Sequence, residues 1–454
     1  MILKWLRILL TGFLVSCFYF PVTYTFIPFA NTKNLMGAIG IVCMGIVLIR
    51  KKEFTLPREL LVILLLSSFV SIASLFAINV NQTPDDSYVS YIRSAIIWLS
   101  GAFATCCFIW LTHKRIDVPL VINYLAWVCV FQCVMALLIE FLPGVRMFVD
   151  SHVQQGQGLL QDLGRMYGVG ASLDVGGSRF AAVLAAIAFL LVQNKKDRDN
   201  IPQFTLIIAF IIITVVGNMI ARTTLVGVGV GIAYLVLMEL RNFGWHRYEE
   251  DYHSSLGSWL IVLLITIPVC VFFYNTSPQF HDMLRFGFEG FFNLFEEGEW
   301  STDSGSKLES MVVWPDNFRT WLVGDGYFEN QRNDPNYIGT ATTRGYYMGT
   351  DIGYLRFIFY FGVPGLIAIS AVMIYAGVIA VKAFPKYSHV FMLGVLCNFI
   401  VWLKVSTDLF PFLSIFAALA FLTSDLEFIK QKDREKGDLE DEEEALSPET
   451  AEVS

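Results

Sequence analysis

Long apolar stretches separated by short polar connections occupy most of this chain. A helix needs about 20 mostly apolar residues to cross the hydrocarbon core of a bilayer. The pattern therefore predicts an all-α, polytopic membrane protein with about twelve spans, in which Pro364-Gly365 favours a broken or re-entrant tenth helix. The predicted spans lie at 8–28, 35–49, 59–80, 92–112, 119–142, 178–194, 203–221, 223–240, 257–274, 352–381, 388–407 and 409–424.

Two polar segments interrupt this pattern and divide the chain. Residues 1–274 hold the first nine spans and a segment rich in glycine and arginine near 145–178, and a long loop follows at 275–351. Residues 352–424 hold the last three spans, and 425–454 form a charged tail that is predicted to be disordered. Long loops are usually functional or disordered, so we expect chemistry in the loop at 275–351.

Composition supports a membrane protein. Hydrophobic residues make up 55% of the chain and charged residues 16%, whereas soluble domains average about 25% charged residues. The net charge of -8 comes largely from the acidic tail after Gly437, so it does not indicate nucleic acid as a partner. The eight cysteines all fall in apolar stretches without metal-ligand spacing, and we expect no disulfide, no metal and no cofactor.

Lysines and arginines beside the predicted spans set the expected orientation, because cytoplasmic loops are enriched in them. If the spans alternate, the cation clusters fall on one side and both termini are cytoplasmic. The segment near 145–178, the loop at 275–351 and the turn around Arg222 then face the opposite side. The clusters are Lys4/Arg7, Arg50/Lys51/Lys52/Arg58, Lys114/Arg115, Lys195/Lys196/Arg198, Arg241/Arg247, Lys382/Lys386 and Lys430/Lys432.

Three arginines on that opposite face are candidates for binding an anion. Arg222 lies between two apolar runs with no acidic neighbour in the sequence. It must face a partner or a wet cavity, unless it only snorkels at a helix end. Arg165 and Arg179 flank a glycine-rich run, where backbone amides and guanidinium groups can bind phosphate oxygens. The alternative is a flexible loop with ordinary arginines.

Asp351 stands where the long loop meets the tenth span, with Arg344 before it and Arg356 after it. A partly desolvated carboxylate at this place can have a pKa suited to a general base that acts on a hydroxyl group. The alternative is that Asp351 caps the following helix, since aspartate is favoured at that position. Asp325, between two glycines, is interpreted as a turn residue.

Together these features resemble the bacterial O-antigen polymerase and ligase superfamily, whose members transfer glycans from undecaprenyl-diphosphate carriers. The resemblance rests on the arginine and glycine-rich run at 165–179, on the isolated Arg222, and on the segment 324–365, which reads GDG…TDIGYLR…FGVPG. Ligases of the superfamily typically have a histidine where this chain has Asp351. That departure favours the polymerase branch.

The resemblance implies an inverting, metal-independent glycosyl transfer by a GT-C-like membrane glycosyltransferase. It implies that Asp351 and Arg222 are catalytic, the first as a base and the second as a stabiliser of the diphosphate leaving group. The implied substrate-binding residues are Arg165, Arg179, Arg344 and Arg356.

The expected reaction is the polymerisation of undecaprenyl-diphosphate-linked repeat units of an O-antigen, capsule or exopolysaccharide. The expected partners are the lipid-linked donor and acceptor, the bilayer, a chain-length regulator and a flippase. The expected location is the bacterial inner membrane, with the site on its periplasmic side. Two alternatives stay open: an O-antigen ligase or protein O-glycosylation transferase that uses the same donor, and a polysaccharide or lipid transporter.

Overall fold

The all-α expectation is confirmed by a computed structural model, which describes residues 2–52, 57–162, 164–193, 195–245, 256–330, 334, 337 and 345–446. The α-helices in these residues are α1 (Ile2–Tyr19), α2 (Thr32–Lys51), α3 (Arg58–Asn81), α4 (Tyr91–His113), α5 (Val118–Phe141), α6 (Pro143–His152), α7 (Gln157–Asp162), α8 (Leu173–Val192), α9 (Gln203–Ile220), α10 (Thr224–Trp245), α11 (Leu256–Thr276), α12 (Pro278–Gly287), α13 (Glu289–Glu296), α14 (Asp303–Ser310), α15 (Phe318–Val323), α16 (Gly353–Ala383), α17 (Ser388–Val401) and α18 (Phe410–Leu446).

Nine of the helices in the described part of the chain are long and apolar enough to cross a membrane. They correspond to nine of the predicted spans, so the chain folds as a multi-pass membrane protein. The remaining predicted spans coincide with α1, α11 and α17, the last of which has only 14 residues. The nine helices are α2, α3, α4, α5, α8, α9, α10 up to Arg241, α16, and α18 up to Lys432.

A small antiparallel sheet is the exception to the helical fold. Its strands are β1 (Thr23–Tyr24), β2 (Ile27–Asn31) and β3 (Val153–Gln154), in the order β2-β1-β3. The sheet ties the connection after α1 to the segment that follows α6, and Thr25 adds a backbone hydrogen bond to the carbonyl of His152 at 2.9 Å. The segment near 145–178 is therefore anchored by its backbone.

The last helix runs beyond the apolar residues into the charged tail. α18 continues as a helix to Leu446, while 447–454 lie outside the described residues. Lysine, glutamate, glutamine and leucine are strong helix formers and dominate this stretch. Asp425 also forms an ion pair with Lys51 at 3.0 Å, which holds the start of this extension against α2.

The predicted break in the tenth span is present. α16 has non-helical backbone at Phe361 and at Gly362, where φ is 70°. Pro364, two residues after Gly362, has no N–H group, so it cannot donate to the carbonyl of Tyr360 four residues earlier. The break therefore leaves carbonyl groups inside an apolar bundle that need other donors.

The Gly-Asp-Gly turn at 324–326 supplies these donors. The N–H of Asp325 donates to the carbonyl of Phe359 at 2.6 Å, and the N–H of Gly326 donates to that of Tyr360 at 3.1 Å. Two amides of the long loop thus replace the helical donors that the break removed. The loop and α16 satisfy each other's backbone groups, which fixes the loop to the helix.

The end of α3 holds the same turn from another side. The side chain of Asn81 donates to the carbonyl of Gly324 at 3.0 Å, and the hydroxyl of Thr83 donates to that of Gly326 at 2.8 Å. Asp85 is buried and accepts the N–H two residues beyond Gly326 at 2.7 Å. The turn is therefore enclosed by α3 and α16, and it positions the loop that leads to Asp351.

We predict that Gly324→Ala destabilises the protein more than Gly298→Ala does. Both glycines have positive φ, 81° and 79°, which is strained for a residue with a Cβ atom, and the ψ of 176° at Gly324 belongs to a region that is almost restricted to glycine. At Gly324 the Cβ would also lie 2.5 Å from the carbonyl oxygen of Tyr360, whereas at Gly298 it meets nothing within 4 Å. Thermal unfolding midpoints in detergent measure the difference. Equal shifts would contradict the close approach of turn and helix.

Candidate functional site

A polar cavity of about 560 Å³ lies where α12, α14 and the connection before α16 meet the turn between α9 and α10. Three residues predicted for the site, Arg165, Arg222 and Asp351, line it together although they are far apart in the sequence. Four cations and four carboxylates are found in its wall: Arg165, Arg222, Lys307, Lys404, Asp174, Asp282, Asp303 and Asp351.

Asp351 does not cap α16. The N-cap residue is Ile352, which makes no capping bond through its side chain, and the helix starts at Gly353. The carboxylate of Asp351 lines the cavity instead, and its Oδ1 lies 3.5 Å from Nη1 of Arg356. The structure thus excludes the capping role and leaves this carboxylate free to act in the cavity.

The environment of Asp351 raises the pKa of its carboxyl group from 3.8 to about 7. Burial is the main cause, because desolvation disfavours the charged form, and the negative charge of Asp174 acts in the same direction. The positive charges of Arg356 and Lys404 oppose the shift without cancelling it. A carboxyl group with such a pKa is partly ionised near neutral pH and can both accept and return a proton.

Arg356 lies behind Asp351 and is not part of the cavity wall, although the sequence suggested a substrate-binding role. It is only 5% exposed, and it donates to the hydroxyl of Ser406 at 2.6 Å and to the carbonyl of Phe328 at 3.0 Å. Its guanidinium lies 3.6 Å from the ring centroid of Phe328 and 4.1 Å from that of Tyr346. These contacts fix the cation where it can orient Asp351.

Arg222 is held by the long loop. Its Nε donates to the carbonyl of Phe286 at 2.9 Å, its Nη1 donates to the hydroxyl of Ser304 at 2.7 Å, and it forms an ion pair with Glu289. The sequence around Arg222 contains no acid, so its carboxylate partner is supplied by a segment that the pattern did not connect to it. The guanidinium is fixed and partly neutralised before any substrate enters.

Arg165 packs beside Arg222 but has no carboxylate partner. Its guanidinium lies 3.8 Å from the ring centroid of Phe286, and that of Arg222 lies 4.1 Å from the same centroid. Within the described residues Arg165 forms no ion pair. Burial, and then the charge of Arg222, lower its pKa. An anion that entered the cavity would relieve this repulsion.

The other two predicted arginines are not found in the cavity wall. Arg344 lies outside the described residues. Arg179 is 7% exposed and packs near the rings of Phe20 and Trp98, at 5.8 and 5.7 Å from their centroids. The reason is that α8 begins at Leu173 rather than at residue 178, so Arg179 lies well inside the helix.

Asp174 and Lys404 are cavity residues that sequence reasoning did not assign. Nζ of Lys404 lies 2.9 Å from Oδ1 of Asp174 and 3.0 Å from the hydroxyl oxygen of Thr223, which itself donates to Asp174. These contacts join α8, the turn before α10 and the connection after α17. The sequence could have indicated Lys404, because a charge beside an apolar stretch is costly without a partner.

No group of three or more histidine, cysteine, aspartate or glutamate residues that could hold a metal ion occurs within the part of the chain that the structure describes. No protein-family model, no curated protein and no solved structure matches this chain. The fold therefore defines its class, a polytopic all-α membrane protein, and the charged cavity is the basis for a functional proposal.

We predict that Asp351→Asn stabilises the folded protein at alkaline pH. Because folding raises the pKa from 3.8 to about 7, the contribution of Asp351 to stability is fully present below 3.8 and is lost as the pH rises through 7. Asparagine is neutral throughout, so the variant should unfold at a higher temperature than the wild type at about pH 8, with no such gain at about pH 4. Asp282→Asn, at an 83% exposed side chain in the same cavity, is the control. A lower midpoint for Asp351→Asn at alkaline pH would contradict the desolvation of this carboxylate.

Proposed function

We propose that the protein is a membrane glycosyltransferase that polymerises undecaprenyl-diphosphate-linked oligosaccharide repeat units of a bacterial surface polysaccharide. The observation that carries the proposal is the cavity in which Asp351, with a pKa raised to about 7, shares the wall with Arg165, which has no ion-pair partner among the described residues. A base and an unneutralised cation are the two groups that displacement of a diphosphate by a hydroxyl requires.

The reaction balances with these groups. A hydroxyl oxygen of the acceptor sugar attacks the anomeric carbon of the donor, and a carbon–oxygen bond forms with inversion. The bond from that carbon to the diphosphate oxygen breaks, and the electron pair leaves with the diphosphate. Asp351 takes the hydroxyl proton, and Arg165 stabilises the charge on the leaving group. One such cation contributes about 10²–10³-fold to the rate in comparable sites.

The two arginines of the cavity have different roles in this proposal. Arg222 is already bonded to Glu289 and Ser304, so it is preorganised and its charge is partly compensated. The guanidinium of Arg165 lies beside it and contacts the ring of Phe286, but it has no ion-pair partner among the described residues. A bound anion would therefore compensate the charge of Arg165 more than that of Arg222. We assign Arg165 as the main contact of the diphosphate and Arg222 as the residue that keeps the site positive.

An apolar groove beside the cavity supports an amphiphilic substrate. The groove has a volume of about 790 Å³ and runs between α9, α10 and α11. α12 borders both spaces, because Met283 and Phe286 line the cavity while Leu284 lines the groove. In this proposal a diphosphate in the cavity continues past α12 into a polyprenyl chain in the groove, where each buried CH₂ group contributes about 0.8 kcal/mol.

Replacement of Asp351 tests the proposed base. Asp351→Asn should reduce polymer formation by about 10²–10⁴-fold, and Asp351→Glu should retain part of it, because only the latter keeps a proton acceptor. The wild-type rate should fall as the pH drops below about 7, where Asp351 becomes protonated. The measurement is the ladder of polymer lengths in a deletion strain that expresses each variant, and the pH dependence is measured in isolated membranes.

Glu309→Gln is the matched control, since Glu309 is exposed on α14 outside the cavity wall. Full-length polymer from Asp351→Asn at normal expression would refute the assignment. A deletion strain that still polymerises but no longer attaches glycan to lipid A or to protein would show a ligase instead. An unchanged glycan product together with accumulated lipid-linked units on one side of the membrane would show a transporter.

A bulky side chain in the groove tests the lipid contact. Ile232→Trp fills part of the groove and should raise KM for the lipid-linked substrate with a smaller effect on kcat. Ile41→Trp places the same side chain on α2, where the native residue is similarly exposed at 57% against 49%, and should leave both constants unchanged. The same KM for both variants would exclude the groove as the binding site of the polyprenyl chain.

A further inference from the structure

A second charged cluster lies apart from the cavity and contains Arg179. Its members are Lys33 of α2, Arg179 of α8 and Asp408, which precedes α18, and none of the three lines the cavity described above. Lys33 and Asp408 are each partly exposed. The charges of the three groups act on one another, so the fold brings two cations and one carboxylate together from distant parts of the chain.

Arg179 is a largely buried cation. The residue is 7% exposed, and its guanidinium makes no hydrogen bond and no ion pair to any residue that the structure describes. Its neighbours are the rings of Phe20 and Trp98. A guanidinium group that loses hydration on burial needs an anion or hydrogen-bond acceptors in return, and none of the described residues provides them.

Lys33 contacts the same indole ring. Its ammonium group donates to the hydroxyl of Ser94 at 2.8 Å and lies 4.5 Å from the ring centroid of Trp98, but it forms no ion pair among the described residues. Lys33 and Arg179 thus share the ring of Trp98, and neither has a carboxylate partner in the described part of the chain.

Asp408 does not neutralise both cations. One of its carboxylate oxygens accepts the N–H of Phe410 at 3.1 Å. Burial raises the pKa of Asp408, while that N–H group and the charges of Lys33 and Arg179 lower it. The carboxylate acts on the two cations from a distance and forms an ion pair with neither in the residues described. Two positive charges and one negative charge leave the cluster with a net positive charge.

We infer that Lys33 and Arg179 form a second anion site that binds the phosphate end of the second lipid-linked substrate. A guanidinium group can donate two parallel hydrogen bonds to phosphate oxygens, while an ammonium group binds them as a point charge. The guanidinium and ammonium donors of the cluster suit an oxyanion, and its excess of cations suits an anionic ligand.

The charges of Asp408 and Arg356 both act on the hydroxyl of Tyr88, and Arg356 contacts Asp351. Arg165 and Arg222 line the cavity itself. This inference rests on the proposed polymerase function, because a polymerase binds two lipid-linked substrates at once and therefore needs two anion sites beside one base.

Titration of the full-length protein in detergent with inorganic pyrophosphate tests the second site. Calorimetry should count two sites in the wild type, one in Arg165→Gln, one in Lys33→Gln and none in the double variant. Lys386→Gln, at an exposed cation paired with Asp197, should retain two sites. Arg179→Gln should match Lys33→Gln, and if its buried position prevents folding, Lys33→Gln alone decides. A single site in the wild type, or two sites in Lys33→Gln, would overturn the inference.

A second titration identifies the source of the phosphate. Geranylgeranyl diphosphate in micelles should bind both sites at least about tenfold more tightly than pyrophosphate, because its apolar chain is buried as well. Equal affinities would refute a lipid-linked ligand. The outcome is independent of the proposed base: full activity of Asp351→Asn would refute the catalytic assignment while the count of two sites still stood.

Discussion

The fold of the functional region depends on two carbonyl groups of α16 that have lost their helical partners. The carbonyls of Phe359 and Tyr360 precede the break at Phe361–Gly362, and they accept the amides of Asp325 and Gly326 instead. In an apolar bundle an unpaired carbonyl costs several kcal/mol, about the cost that disfavours open backbone in lipid. The long loop is thus an integral part of the helical bundle.

This interaction also places the charges. The loop returns to the bundle through the enclosed turn and enters α16 with Asp351 just before the helix and Arg356 in its first turns. Two opposing effects act on the carboxyl group of Asp351. Burial favours its neutral form, while the cation of Arg356, 3.5 Å away, favours the carboxylate. Burial is the larger effect and raises the pKa to about 7, which suits the proposed base.

Sequence reasoning located part of the site and missed the rest for identifiable reasons. Arg222 and Asp351 could be recognised in the sequence because a charge beside an apolar run is costly unless it has a partner or faces a wet cavity. Glu289 did not, because an acid in a polar loop is ordinary until the fold pairs it with Arg222. Arg179 was grouped with Arg165 because a predicted span that starts five residues too late put it at the helix end, next to the glycine-rich segment.

The sequence by itself determined that this chain is a multi-pass helical membrane protein, and it indicated the break in the tenth predicted span. Both follow from local properties: the length of an apolar run and the missing N–H group of Pro364. Tertiary structure decided that Asp351 faces a cavity rather than capping α16, and that Arg165 and Arg179 lie in different charged groups. Those outcomes depend on contacts between segments far apart in the chain, and no local pattern encodes such contacts.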